Sequence, residues 1–558
     1  MQRSMIARAV SFVVAAAATA GAADAVRTLS VAEYRDKMKA GWIGQMAGVG
    51  WGGPTEFKWK GKVIPADAMP AWKPELINQF NQDDIYVEMT FVRSMELHGL
   101  DVPIRQAGID FANSAYPLWH ANHAGRQNLR SGIAPPDSGH PRFNTHADDI
   151  DYQIEADFSG LIAPGLPNIA IALGEKFGRL MNYGDGVYGG QFVGGMYAEA
   201  FFEQDPLKIV QAGLACVPAG SMFAETIRDV CAWWKAYPDD WEKTWEMVEQ
   251  KYQRTKAYRR FSCTGPEADF NIDAKINAAY IAIGLLYGNR DPDATIVISC
   301  RCGQDSDCNP ANSGGVLFTS IGFSKLPARF SSALNEEGVF SHTAYNVPKL
   351  LAACEKLARQ AVVKAGGKIV VENGEERFVI PVAAPVPTAL EQCWEPGPIA
   401  GSRFTAEEME KITAVTDIAR ALKTFAPGWK VAGCGADMDP GLRPELRGRK
   451  NVLVTHPQST TVACTLSQEA RIPAGKKTTL ALQVGHHEQG DWVLAVKADG
   501  AELFKDTIGK DTAKDGWRAV SVDLSAYAGK TVRLELVNQA SGWAYEAGYW
   551  ASIAIVSE

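Results

Sequence analysis

After its first 25 residues, the sequence has no apolar run long enough to cross a bilayer, so it encodes no membrane-spanning helix beyond that point. It also has no basic patch with interleaved aromatics, which argues against nucleic acid as a partner. No short-period repeat points to a solenoid. Ten cysteines are present, but there is no paired C-x2-C pattern, and Cys300, Cys302 and Cys308 have no nearby histidine to complete a zinc site. Their spacing defines no small disulfide framework and fixes no connectivity.

What is present is a globular composition, 46% hydrophobic and 22% charged, long enough at 558 residues for two or three domains. The opening, "MQRSMIARAVSFVVAAAATAGAADA", has Arg3 and Arg8, an Ala-rich apolar run, and Ala23-Asp24-Ala25 as a cleavage signal. This predicts a signal peptide over residues 1–25, a mature start at Val26 and a periplasmic or secreted protein not inserted in the membrane. Its removal takes away Arg3, Arg8 and Asp24, making the chain one unit more acidic than −8. An exported location permits disulfides.

From residue 26 to about 360 the pattern is helical. "SVAEYRDKMKAGWIGQMAG" starts at a Ser cap, and "DDIYVEMTFVRSMELHG" opens on acids and closes on Gly. The expectation is an all-α domain over 26–360, followed by a hairpin around Asn373-Gly374 and a Pro-rich connector over 361–424. Strand-like runs with regular turns then predict a β-sandwich over 425–558. The fold class is therefore multidomain, all-α then β-sandwich.

Several motifs carry chemistry. "GVGWGG" at Gly48–Gly53 and "GDGVYG" at Gly184–Gly189 both fit G-x-G-x-x-G, but neither follows a strand in a βαβ unit. They are expected where the backbone turns tightly or is approached closely. "DSDCNPANSGGV" places Asp305, Asp307 and Asn309 at alternating positions, yet Pro310 and Val316 stand where a calcium-binding helix–loop–helix needs Gly and Glu. "NQDDIYVEMTF" starts a helix with Asp83 and Asp84, and "HADDIDYQIEADFSG" puts Asp151 and Glu155 four residues apart, on one helical face. Three such groups beside apolar and Gly-rich sequence suit a buried, oxygen-lined site for a hard cation.

"KAGWIGQMAGVGWGGPTEF", "NQDDIYVEMTF", "GDGVYGGQFVGGMYAEAFFE" and "CGQDSDCNPANSGGVLFTSIG", in this order, resemble the motifs of the ADP-ribosylglycohydrolase family from about Ser30 to Leu326. The resemblance implies an all-α fold around a metal site, usually binuclear magnesium, that binds ribose hydroxyls while the anomeric bond is hydrolysed. It places Asp83, Asp84, Asp305 and Asp307 as metal ligands and Glu56 as the loop glutamate after the first helix. It also implies a substrate cleft formed by "ADFSGLIAPG"; the acids of "DDIDYQIEAD" depart from the family, and Asp149, Asp157, Gly186 and Tyr188 are the expected substrate-binding residues. Gln82 and Cys308 stand where the family has hydroxyl ligands, so one dominant Mg2+ or Ca2+ ion is expected rather than a symmetric pair.

The resulting expectation is an exported, metal-dependent hydrolase of a glycosidic bond in a carbohydrate. Asp83, Asp84, Asp305 and Asp307 would hold the cation. Glu56, Asp84, Asp151 and Glu155 are the catalytic candidates, with proton transfer falling to Glu56 or to one of Asp149, Asp151, Glu155 and Asp157. Two alternatives stand beside it: hydrolysis of ADP-ribosyl conjugates, and metal-dependent sugar binding without catalysis. The tail "GWRAVSVDLSAYAGKTVRLELVNQ" resembles a galactose-binding-type or carbohydrate-binding jelly roll, which can serve as a binding or a structural module.

Overall fold

The computed structural model describes residues 25–412 and 417–558, so the signal peptide expected over residues 1–25 lies outside the described residues but for Ala25. No helix among the described residues is long and apolar enough to cross a membrane, and all ten cysteines are free thiols.

The first helix, Val31–Gly52, begins where Ser30 accepts the Glu33 N–H at 3.0 Å. It is buried nearly all round from Lys37 onward, as befits the axis of the helical domain. Its glycines let it lie backbone to backbone against the helix Cys308–Ile321. A Cβ on Gly48 would stand 2.2 Å from the Ala311 nitrogen, and one on Gly52 would stand 2.0 Å from the Ser306 carbonyl oxygen. "GVGWGG" is therefore a packing edge that draws "GQDSD" against the end of the first helix. "GDGVYG" opens the helix Asp185–Ala200, with Gly184 at φ +51°.

The hairpin β2 (Lys368–Glu372) and β3 (Glu375–Pro381) turns at Asn373 and Gly374, both at positive φ. It does not stand alone: β1 (Val26–Ser30) pairs antiparallel with β3, Val26 opposite Pro381 and Ser30 opposite Arg377. Phe378 and Ile380 of β3 are buried in the helical core.

The sandwich has two five-stranded antiparallel sheets. One runs β10 (Ala501–Ile508), β9 (Trp492–Ala498), β12 (Thr531–Gln539), β7 (Cys464–Arg471), β4 (Lys430–Ala432). The other runs β11 (Trp517–Asp523), β8 (Thr478–His486), β13 (Gly548–Ser557), β6 (Arg449–Thr455), β5 (Gly441–Leu446). Leu480, Leu482 and Val484 alternate inward on β8, as Val532, Leu534 and Leu536 do on β12, around Trp492 and Trp550 with ring centroids 5.3 Å apart. The helix Ile418–Phe425 adds Ala421 and Leu422 to this core.

Candidate active site

Three separated segments build the floor of one cleft. Asp83 and Asp84 open the helix Asp83–His98, where the helix dipole favours acids. "GQDSD" arrives after the helix Pro292–Arg301 through Gly303 and Gln304, both at positive φ. Gln304 is locked in place: its N–H donates to the Trp59 carbonyl at 3.1 Å, its carbonyl accepts from Phe57 at 3.1 Å, and its side chain donates to the Asp269 carbonyl at 2.7 Å. This anchoring turns Asp305 inward and leaves Asp307 at the start of the Cys308–Ile321 helix.

Ligating atoms of Asp305, Asp307 and Cys308 lie within 4.8 Å of one another. The Cys308 thiol donates to Asp84 Oδ2 at 3.3 Å, joining the two acidic segments. Burial, then the charges of Asp83 and Asp307, drive the Asp84 carboxyl well above its ordinary range. Burial and then Asp305 do the same to Asp307, with Asp83 contributing as well, while burial raises Asp305 to about 7. The third segment supplies Glu56, exposed at the rim. Loss of hydration, then Asp307 and Asp83, push its carboxyl up, and the solvent that reaches it weakens the effect by screening.

This floor fits a cation. Asp84 is fully buried and its Oδ1 has no hydrogen-bond partner. The charges weighing most on Asp84 and Asp307 are other carboxylates rather than a Lys or Arg. An oxygen donor set of this kind suits a hard divalent ion. Cys308 acts as a protonated donor to a carboxylate, in keeping with its poor aptitude as a ligand for such an ion.

The wall is the start of the helix His120–Arg130. Asp151 accepts the N–H groups of Ala121 and Asn122 at 3.2 and 2.8 Å, and Glu155 accepts from the Asn122 amide. The two acids thus share a face and grip one residue. Asp151 lines the cleft and burial raises it to about 7, while Glu155 lies behind it, fully buried, with Oε2 unpartnered. Phe57, Trp119, His120 and Phe270 give the cleft an aromatic side, with His120 stacked on Phe270 at 5.9 Å between centroids. The cleft volume is about 480 Å3.

Other expected residues lie elsewhere. Asp149 is outside the lining and bonds to His146, 2.6 Å away. Asp157 is buried beneath the floor, accepting from Tyr197 and from Asn312. Gly186 and Tyr188 do not line the cleft, contrary to the substrate-binding role expected of them. Gly186 packs on the Ala147 carbonyl, and the Tyr188 hydroxyl donates to Ala389 and accepts from Glu391. Their helix turns its glycine edge to the 147–153 segment, which sets them into packing rather than toward a ligand. Sequence reasoning missed Trp119, His120, Asn122 and Phe270; "WHANHAG", with two histidines beside a Trp, was the available signal.

In comparison with known proteins, the family described as ADP-ribosylglycohydrolase matches residues 30–365. Among solved structures, the "ADP-ribosylglycohydrolase-related protein complex" is similar at 14% identity and a TM-score of 0.39, covering 59% of this chain and 100% of that one. CBM35 from Paenibacillus barcinonensis is similar at 11% identity and a TM-score of 0.17, over 24% of this chain and 94% of that one. A structure described as "CBM4 structure and function" is similar at 12% and 0.18, over 26% and 97%. Comparison with curated proteins gives no match.

Proposed function

Because this chain belongs to the ADP-ribosylglycohydrolase family, we propose that it is a hydrolase of that family that cleaves a glycosidic bond in a carbohydrate with the help of a divalent cation. The observation that carries this reading is the convergence of Glu56, Asp83 and Asp305, from three distant segments, on one cleft, with Asp84 and Asp307 beside them around Cys308. Asp83, Asp84, Asp305 and Asp307 are the residues that would hold the cation. A bound Mg2+ or Ca2+ supplies Lewis-acid polarisation and orients vicinal hydroxyls.

The remaining chemistry belongs to the chain. Glu56 lines the cleft at its rim beside the floor carboxylates, where it can deliver a proton to a leaving-group oxygen. Asp151 is held by two backbone N–H groups and is raised to about 7, which suits it to take a proton from water or bind a sugar hydroxyl. Phe57 and Phe270 offer an apolar face to the substrate and exclude water. Lys60 is the one Lys among the lining residues and no Arg is among them. A cleft this acidic, without an arginine clamp, favours a neutral sugar over a diphosphate.

The test is release of reducing sugar from a panel of glycans, with and without chelator, beside release of ADP-ribose from ADP-ribosyl conjugates. The reading expects chelator-sensitive sugar release that falls by about a hundredfold or more in Glu56→Gln. Turnover of ADP-ribosyl conjugates alone would reject the carbohydrate substrate. Cation-dependent glycan binding with no turnover would reject catalysis.

A further inference from the structure

Behind the aromatic side of the cleft lies a cluster of different chemistry. His120, His146, Asp149 and Cys263 each present one ligand atom, and the four lie within 4.8 Å of one another. The Nδ1 atoms of His146 and His120 stand 2.6 and 3.5 Å from the same oxygen, Asp149 Oδ2. We propose that these four side chains form a closed site for zinc or a similar borderline transition-metal ion, distinct from the carboxylate floor. This inference does not rest on the hydrolase reading.

Three independent features support it. The first is the donor set: two imidazoles, one carboxylate and one thiol match the ligands zinc takes, whereas the floor is nearly all oxygen. Tetrahedral zinc, with bonds of about 2.0–2.3 Å, holds its ligand atoms roughly 3.3–3.8 Å apart, a spacing this cluster reaches by small adjustments.

The second is the charge balance of the buried acids. Asp149 is fully buried and its Oδ1 has no hydrogen-bond partner. Oxygens of Asp148, Asp149 and Asp273 also lie within 4.8 Å of one another. Against Asp148, Asp149, Asp185 and Asp273 the neighbouring buried cations are Lys275, 3.2 Å from Asp148, and Arg259, 3.5 Å from Asp273. His120 and His146 also face Asp149, so without a metal the cluster balances only when both imidazoles carry a proton, and a divalent ion would take over that charge and free both rings to ligate it.

The third is preorganisation. Cys263 sits between two pinned residues: Ser262 donates to Asp273, and the Thr264 hydroxyl donates to the Phe270 carbonyl at 2.6 Å. Arg259 donates to both, at 2.9 Å to the Ser262 hydroxyl and 3.0 Å to the Thr264 carbonyl. The Asp149 N–H donates to the His146 carbonyl at 2.9 Å, and Asp149 pairs with Asp273 in an isolated bridge. His120 holds a left-handed backbone, φ +44°, a conformation that costs a non-glycine residue energy and that the surrounding structure must enforce. With four protein ligands and no open position, the ion would act as a structural clasp. It would tie the 259–273 loop to the 119–122 wall and fix the His120 ring that faces the cleft.

The experiment uses the full chain, stripped of metal and titrated with Co2+ and then Zn2+. One tight equivalent of zinc is expected, and cobalt should give a thiolate-to-metal charge-transfer band. Cys263→Ser should abolish that band, and Cys263→Ser and His146→Asn should each weaken zinc binding by about a hundredfold or more. Asp305→Asn, on the floor, should leave both signals intact. Alkylation mapped by peptide mass removes dependence on the variants. Cys263 and Cys434 are the half-buried thiols, and zinc should protect Cys263 alone. Absence of the cobalt band, zinc binding unchanged in both variants, or equal alkylation of Cys263 with and without saturating zinc would each overturn the site.

Discussion

At the scale of single residues, the burial of carboxyls in the floor and wall of the cleft should make stability depend on pH when cations are chelated. Asp305 and Asp151 start from an ordinary value of 3.8, and burial raises each to about 7. A carboxyl raised on folding lends stability that is complete below the unfolded value and lost as pH climbs through the folded one. With chelator present, the urea midpoint should therefore fall between about pH 4 and pH 7, and a divalent cation should flatten that slope. Asp84→Asn removes a buried carboxyl that is costly to ionise, so it should raise chelated stability as pH climbs, by about 1 kcal/mol. The same change should lower turnover by about a hundredfold or more. A chelated midpoint independent of pH would sink this account. The paired acids were legible in the sequence, because adjacent aspartates before an apolar helix need a reason. His120, His146 and Cys263 were not, because their partnership exists only once distant segments meet. Gly186 and Tyr188 misled because a glycine-rich stretch reads alike whether it admits a ligand or another helix.

At the scale of elements, what holds the floor together is the contact between the first helix and Cys308–Ile321. Gly48→Ala would set a methyl 2.2 Å from the Ala311 nitrogen, which is backbone and cannot rotate away. We expect it to cost about 3 kcal/mol, at the upper end of overpacking penalties, and to reduce activity by displacing the Asp305 loop. Gly53→Ala, with nothing within 4 Å of the new methyl, should stay within about 0.5 kcal/mol. Equal melting temperatures for the two variants would remove the packing argument. Elements with their own local signals were readable in advance: the Ser30 cap, the Asn373-Gly374 turn, and the alternation on β8 and β12. The strand β1 was not, since "VRTLS" becomes a strand only through β3, which lies across the whole helical domain.

At the scale of the molecule, one aspartate couples the sandwich to the wall of the cleft. Asp439, just before β5, pairs with Arg126, which is fully buried, and with Arg130 at 2.8 Å. Both arginines belong to the helix whose first turn holds Asp151. Asp439→Ala would strand these two guanidinium groups, at a cost of about 3 kcal/mol. Scanning calorimetry should resolve two transitions in the variant and one in the parent protein; a single unshifted transition in the variant would show that the pair does not couple the domains. The pairing of Val26 with Pro381 has a consequence for how the protein is made. A ribosome delivers the first strand early and its partner last, so the helical domain cannot close until residue 381 has emerged, and its opening strand must wait unpaired through all of that synthesis. A fragment cut at residue 365, where the family match ends, would never complete this closure. It would leave a bare strand edge and a hole where Phe378 and Ile380 belong, and a cut at 381 would still leave out Phe404 and Ile412 of the same core, so a piece meant to hold the helical domain must run beyond 412.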